Sequence, residues 1–551
     1  MSSMFCYQCE QTSQMSGCTA FGVCGKDPET AALQDLLLYA CRGISAYAHR
    51  ARAHEARDIA IDRFVMDALF TTVTNVNFDP ARLQGLLNEA GEKLQAARAL
   101  YLSACQAAKA TPVSLNGATQ WTPAPQLNDL IHAGETIGLE TRFAGLDPDV
   151  ASLQELLTYG LKGLAAYAHH ASVLGREEES YFAFQHEALA AIENNVTDVP
   201  TLLKLNLRCG EVNLAIMAAL DGVHVHTYGS PQPTPVRIDP VAGKCLLVSG
   251  HDLKDLEELL KQTEGRGINV YTHGEMLPAH GYPLLKKYKH LVGNYGGAWQ
   301  NQREEFAKFP GAILMTTNCI QKPKDLYFDR IFTSGVVAWP GVRHLTNADF
   351  SPVIEAALAA PGFTEDGPGK TILVGFGHEA ILANAEKIIG AVKSGALKHF
   401  FVIGGCDGAK FGRNYYTEFA EAVPSDCAIL TLGCGKFRFN KLDFGDIGGI
   451  PRLLDCGQCN DAYSAIRVAV ALADAFKCSV NDLPLSLVIS WFEQKAVAVL
   501  LTLLSLGIRD IRLGPALPAF ISPGVGKVLT EQFGLKPIGT VAHDLEECLR
   551  A

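Results

Sequence analysis

Eight of the sixteen cysteines sit in surroundings suited to metal chemistry. Cys6, Cys9, Cys18 and Cys24 are separated by two, eight and five residues. Four thiols so close together suit either a tetrahedral zinc or an iron–sulfur cluster. Redox company elsewhere in the chain favours iron and sulfide, as a point of electron entry. A second set is dispersed but occupies equivalent places. His251 follows the apolar run 245–248, His273 and Glu275 follow 268–271, and Cys319 follows 312–315. Cys406 follows 400–403 in Gly404-Gly405-Cys406-Asp407-Gly408, and Cys434 follows 428–431. Cys459 lies in Gly457-Gln458-Cys459-Asn460-Asp461, and Glu493 and Lys495 lie in Trp491-Phe492-Glu493-Gln494-Lys495. Singly, each would read as a packed side chain beside a turn glycine. Five at the ends of apolar runs do not. Thiolates suit sulfide-bridged iron, whereas carboxylate and imidazole suit harder, oxygen-bridged iron with exchangeable positions. A mixed set predicts a cluster that binds substrate.

The runs that carry these residues, together with 371–374, read as buried strands of parallel sheets with helical segments between them, an α/β architecture. Ligands in such sheets gather at the carboxyl ends of the strands. Gly243-Lys244 and Gly369-Lys370, each just before a run, predict two similar modules divided near Ala360-Pro361-Gly362. Upstream the texture is helical and duplicated. The segment from Leu33 to Ala51 is matched by that from Leu153 to Ala171, and Asn75 and Pro80 by Asn195 and Pro200, always 120 positions apart. Apolar residues recur at three- and four-residue spacing in both copies. Residues 109–128 are expected to link the copies, and Gly229-Ser230-Pro231-Gln232-Pro233-Thr234-Pro235 to end the second. The expected domains are 1–228, 229–361 and 362–551. Asp27 and Pro28 are placed to cap and open the first helix after the cysteine cluster.

With 551 residues, 48% of them hydrophobic, core size is not limiting, and the net charge of −11 argues against a nucleic-acid or polybasic membrane surface. The most apolar stretch, 496–508, falls short of the ~20 residues of a membrane span. Met1-Ser2-Ser3-Met4 lacks the features of a leader, so a cytoplasmic location is expected. In that reducing setting Cys41, Cys105, Cys209, Cys245, Cys427, Cys456, Cys478 and Cys548 read as small buried hydrophobes rather than disulfides. Gly367-Pro368-Gly369-Lys370-Thr371 precedes a strand instead of following one, which excludes a P-loop. Gly375-Phe376-Gly377 follows a strand, but the next run ends in Gly404-Gly405-Cys406 without a ribose-binding carboxylate, so no intrinsic nicotinamide or flavin site is expected.

Several stretches resemble the hybrid cluster protein family, also called prismane proteins and known as hydroxylamine reductases. They are Met4-Phe5-Cys6-Tyr7-Gln8-Cys9, Val248-Ser249-Gly250-His251-Asp252, Tyr271-Thr272-His273-Gly274-Glu275, Gly404-Gly405-Cys406-Asp407-Gly408 and Ser490-Trp491-Phe492-Glu493-Gln494-Lys495. The resemblance covers essentially the whole chain. It implies a multidomain α and α/β fold: a helical domain of two three-helix bundles, then two Rossmann-like domains with parallel sheets, and an active cluster where the three meet. It also implies a hybrid 4Fe-2O-2S cluster held by His251, Glu275, Cys319, Cys406, Cys434, Cys459 and Glu493, with Cys406 as a persulfide. Cys6, Cys9, Cys18 and Cys24 would hold a second cluster, of the 4Fe-4S type because their compact spacing resembles that class of members.

The implied activity is two-electron reduction of hydroxylamine to ammonia and water. Catalytic parts fall to Glu275 as a ligand that shifts between binding modes, to Cys406 and Glu493 at the reacting cluster, and to Lys495 and His273 as proton donors. An external electron donor is required, for which an NADH-dependent reductase is one candidate. The alternatives left open are nitric oxide reduction to nitrous oxide at the same cluster and a nitric oxide or redox sensor that modifies partner thiols. Carbon monoxide dehydrogenase chemistry and a structural zinc protein stand further off.

Overall fold

The computed structural model describes residues 4–550; Met1, Ser2 and Ser3, where the chain start was read for a leader, lie outside them. Four long helices open alike because an Asp precedes a Pro at each start. Asp27, Asp79, Asp147 and Asp198 each accept a backbone N–H from the first turn of Pro28–Arg52, Pro80–Ala108, Pro148–Val173 and Val199–Tyr228. That satisfies an orphan donor while the proline supplies a helical φ. The 120-residue repeat is therefore also a structural repeat, with the short helices Ile59–Thr71 and Glu179–Glu193 as its middle members. In each copy the first and third helices pack together, and the middle helix also crosses to the first helix of the other copy. Buried polar groups lock the crossing: His186 Nε2 meets Asp62 at 2.9 Å, and Arg52 reaches the same carboxylate at 2.5 Å. The linker is packed rather than loose, with Ala118 against Gly43 and Pro123 against Gly91.

The repeat also explains two glycines. Gly43 and Gly163 occupy matching positions, and each leaves room for a crossing backbone: Ala118 in the first copy, Gln494 and Lys495 in the second. The second crossing brings helix Gln494–Ser505 onto Pro148–Val173 and Val199–Tyr228. Gly163→Ala gains about 1 kcal/mol of helix propensity but forces a methyl into the Gln494 carbonyl, and overpacking costs about 1–3 kcal/mol or more. A lower unfolding midpoint is expected. Gly222→Ala, where nothing lies near the new methyl, should raise the midpoint and serves as the control.

Two six-stranded parallel sheets follow. The first runs Leu291–Asn294, Ile268–His273, Lys244–Ser249, Ala312–Met315, Ile331–Thr333 and Arg343–His344 from edge to edge. The second runs Leu453–Gly457, Cys427–Leu432, His399–Gly405, Leu485–Ser490, Ile511–Gly514 and Lys536–Pro537. In sequence terms both orders are 3-2-1-4-5-6, the Rossmann arrangement, whose switch point lies between strands 1 and 4. His251 and Cys319 follow the two strands that flank that point in the first sheet, and Cys406 and Glu493 do so in the second.

One expected strand is placed differently. Thr371–Val374 belongs to neither parallel sheet; it pairs antiparallel with Thr234–Arg237 in a two-stranded ribbon. Its residues alternate between exposed and buried, the pattern of a half-covered ribbon. A four-residue apolar run does not by itself distinguish that from a central strand. The strand that opens the second sheet is His399–Gly405, so Gly369-Lys370 is no counterpart of Gly243-Lys244. Of the eight scattered cysteines, seven are buried and Cys478 is half-buried. Among the described residues no helix is long and apolar enough to cross a membrane.

Candidate cluster site

The strand ends of the two sheets meet, and hydrogen bonds cross between them. Gln458 Nε2 donates to the carbonyls of His251 and Glu275 at 3.1 and 2.8 Å, and the Cys459 N–H donates to Glu275 Oε2 at 2.8 Å. Ligand atoms of His251, Glu275 and Cys459 lie within 4.8 Å of one another. Cys319, Cys406 and Cys434 join them beside Trp299 and Phe492. Two glycines make the approach possible. Gly405 has a φ of 104°, and a Cβ there would strike the Ser490 carbonyl. Gly433, at 72°, would place one 2.5 Å from the Gly405 carbonyl. Both conformations lie in the left-handed region that side chains disfavour.

Glu493 caps helix Gln494–Ser505, accepting the Lys495 N–H at 2.8 Å, so its carboxylate stands at the positive end of that helix. Lys495 Nζ lies 3.0 Å from His251 Nε2, 2.9 Å from Asn318 Oδ1 and 3.7 Å from Glu493 Oε1. On the far side of the imidazole, Nδ1 is 2.9 Å from Thr317 Oγ1, which itself donates to the Asn318 carbonyl. The ring is thus a neutral tautomer with its proton on Nδ1 and the Nε2 lone pair turned into the site.

Burial and mutual charge shift every group at this site. Burial and the nearby Lys495 ammonium lower His251 to about 4. Burial alone would raise Glu275, but its contact with His251 and the charges of Lys436 and Lys495 hold it at about 2. Burial pushes Cys406 up to about 12 and drives Cys319, Cys434 and Cys459 up as well, with neighbouring carboxylates adding to the effect. Burial also raises Glu493. Burial would lower the Lys495 ammonium, but negative charge on Cys459 and Glu493 pushes it upward. Four thiols and two carboxyls around this ammonium ionise together only beside further cations. Soft sulfur, hard oxygen and an imidazole lone pair are the donors expected of iron in a mixed sulfide and oxide environment.

The N-terminal cysteines form a second group. Cys6 and Cys18 exchange backbone hydrogen bonds at 3.1 and 2.8 Å, and Lys26 Nζ lies 3.9 Å from Cys6 Sγ. Burial raises the Cys9 and Cys24 thiols, and each senses the charge of the other cysteines. Cys9 packs in the same apolar group as Trp299, Phe492, Cys319 and Cys434, and the neighbouring Glu10 N–H donates to the Phe492 carbonyl at 2.9 Å. Arg413 fastens this junction. It reaches Glu10 Oε2 and Ser490 Oγ at 2.6 Å each and the Trp491 carbonyl at 2.9 Å, with both charged partners buried. Arg413→Met leaves Glu10 without that partner, a loss worth about 3–5 kcal/mol in buried pairs. A clear drop in the denaturant midpoint is expected, and an unchanged midpoint would show that Lys410, 3.2 Å from the same carboxylate, suffices.

The structure gathers all of the candidate residues except His273. The His273 ring is engaged by Ser249 at Nδ1 (3.0 Å) and by Glu305 at Nε2 (2.9 Å), and it packs on Phe306. Glu305 belongs to helix Gln302–Lys308, so the ring ties the sheet to that helix. Residues passed over in sequence prove to be close. Thr317, Asn318 and Gln458 sit inside motifs that sequence singled out for their cysteines alone. Tyr167 and His170 come from the helical repeat, on helix Pro148–Val173. The Tyr167 hydroxyl lies beside the Cys459 thiol, and His170 stacks on His251 with ring centroids 6.1 Å apart.

Fold and donors together define a class of iron–sulfur protein in which buried cysteines, two carboxylates and an imidazole meet at the facing strand ends of two Rossmann-like domains. The chain belongs to the prismane/CO dehydrogenase family, whose profile matches residues 4–546. It is 58% identical to a hydroxylamine reductase of Syntrophobacter fumaroxidans over 99% of this chain and 100% of the relative. It is 57% identical to one of Rhodospirillum rubrum over 98% and 99%. Among solved structures, carbon monoxide dehydrogenase IV of Carboxydothermus hydrogenoformans shares the fold with a TM-score of 0.56 at 17% identity, covering 96% of this chain and 89% of that one.

Proposed function

We propose that the protein reduces hydroxylamine to ammonia and water with electrons from an external donor. The observation that carries this reading is the buried Lys495 side chain, whose Nζ stands among the mixed donors 3.0 Å from His251 Nε2. Full-length relatives named hydroxylamine reductase support it. In this reading His251, Glu275, Cys319, Cys406, Cys434, Cys459 and Glu493 hold a hybrid 4Fe-2O-2S cluster with a persulfide on Cys406. Cys6, Cys9, Cys18 and Cys24 hold a 4Fe-4S cluster.

The hybrid cluster would supply electrons and a Lewis-acid position. The chain's own residues do the rest. Cleaving the N–O bond of hydroxylamine takes up two electrons and two protons, and Lys495 Nζ is the proton source within reach of the donors. Glu493 and Asn318 hold that ammonium, and Thr317 fixes the imidazole so that Nε2 faces inward. Glu275, anionic and anchored by the Cys459 N–H, is a carboxylate able to change binding mode without moving its backbone. His273, with both nitrogens engaged, takes no proton-donor part. Electrons enter near Cys6 and Cys24, where Met15, Phe21 and Val23 are exposed and offer a small, transient contact to a donor.

The test is anaerobic consumption of hydroxylamine and of nitric oxide by the pre-reduced holoprotein, with ammonia and nitrous oxide quantified over many turnovers. Sustained ammonia production from hydroxylamine is expected. Consumption that stops once the stored electrons are spent would sink the enzymatic reading.

A further inference from the structure

We infer that Lys162, carried by the second helical bundle, is a positioning residue that lends positive charge to the N-terminal cluster and raises its reduction potential. This rests on the reading of Cys6, Cys9, Cys18 and Cys24 as holders of a 4Fe-4S cluster. The helical repeat supplies an internal reference for the side chain. Arg42 in the first copy and Lys162 in the second are 120 positions apart, and both are buried. Each lies over the ring of the tyrosine three residues before it, Arg42 at 5.2 Å from Tyr39 and Lys162 at 5.6 Å from Tyr159.

Their further partners differ. Arg42 completes an ion pair across the two copies, Nε to Glu193 Oε2 at 3.5 Å. The first-copy position that matches Glu193 is Val73. Lys162 therefore finds no carboxylate where the repeat would place one. Its Nζ reaches the carbonyl of Thr72, next to Val73, at 3.4 Å and Gln8 Oε1 at 3.0 Å. Glu155, two turns earlier on the same helix, is taken by Arg142. Asp35 acts on the ammonium only from beyond ion-pair contact.

A buried cation without a paired anion is costly, and burial and the like charge of Lys26 pull Lys162 down to about 8. The compensating charge lies along Gln8, which adjoins Cys9 and follows Cys6 by two positions. The Gln8 amide is held at both ends, accepting from Lys162 and donating to Thr74 Oγ1 at 3.1 Å. Lys26, also buried, brings a second ammonium to 3.9 Å from Cys6 Sγ. Two such cations beside one cysteine loop complement a cluster whose four thiolates leave it with net negative charge. Reduction adds one more negative charge, so a nearby cation favours the reduced form. A unit charge ~10 Å away, at an effective dielectric of ~20, shifts a one-electron equilibrium by about tenfold or more. Lys162 thus makes uptake of an electron from the external donor more favourable.

The test is a redox titration of the holoprotein, followed by the paramagnetic signal of the reduced N-terminal cluster. Lys162→Met is expected to cut the ratio of reduced to oxidised cluster at a fixed potential at least about tenfold, which for one electron is a midpoint about 59 mV lower. Gln8→Glu, nearly isosteric, sets a carboxylate against the ammonium and should lower the ratio in the same direction, so that one misfolding variant does not decide the matter. Lys162→Arg keeps the charge and should hold the ratio within about threefold of normal, as should Arg42→Met, where the charge lost is one that Glu193 already met. An unchanged ratio in Lys162→Met or Gln8→Glu, an arginine variant as low as the methionine one, or an equal fall in Arg42→Met would overturn the proposal. Absence of the signal from the unaltered protein would instead bring down the 4Fe-4S reading, and this inference with it.

Discussion

Lys495→Met is expected to lower hydroxylamine turnover by about 10²–10⁴-fold, the range that a positioned proton donor contributes. The side chain is 1% exposed, and its ammonium has three partners at the site. Methionine keeps the length and the packing but donates nothing. The kcat should fall far more than KM rises, because the lost interaction belongs to the bond-breaking step. Iron content and the absorption spectrum of the purified variant should stay close to those of the unaltered protein, since Lys495 is not one of the proposed ligands. Some stability is lost as well, because buried Glu493 loses its ammonium partner. Lys495→Arg separates charge from geometry: the guanidinium keeps the charge but not a compact ammonium poised beside Nε2, and turnover should recover only partly. Turnover within about tenfold of normal in the methionine variant would remove Lys495 from the proton path.

Glu275→Gln should reduce turnover at least about 100-fold, because even residues that only orient a metal ligand cost 10–100-fold when changed. The substitution is close to isosteric. The amide oxygen can still accept the Cys459 N–H, and Gln458 still bonds the backbone carbonyl. What disappears is an anion held at about 2 by His251, Lys436 and Lys495. Most of the iron should remain, since six other donors persist. Iron per chain, measured beside kcat, distinguishes the loss of a mobile carboxylate from loss of the cluster. Undiminished turnover with full iron would end the role proposed for Glu275.

Much of the site is legible in the sequence because its chemistry sits where the local pattern is strongest. His251, Cys319, Cys406 and Cys434 each come directly after a short apolar run, and the glycines beside them mark where the backbone must turn. The N-terminal cysteines are legible for another reason: four thiols in nineteen residues have few competing explanations. Thr371–Val374 is misread because four apolar residues fit an exposed ribbon as well as a central strand. His273 closes its strand and its ring is taken up by Ser249 and Glu305, whereas Glu275 lies beyond the strand end, in the turn that meets Cys459. In His273-Gly274-Glu275 only one of the two titratable residues reaches the site, and spacing alone does not say which.

The sequence by itself determined the helical repeat, the α/β class and the donor types, since these depend on periodicity and composition within short windows. Only the tertiary structure decided which strand ends face each other. It likewise decided that Tyr167 and His170, core residues of a distant repeat, stand against Cys459 and His251, and that Gly163 admits the backbone carrying Lys495. The physical reason is that such contacts join segments far apart in the chain, and their energies depend on burial and on the partner's charge. Neither quantity exists until the chain has folded.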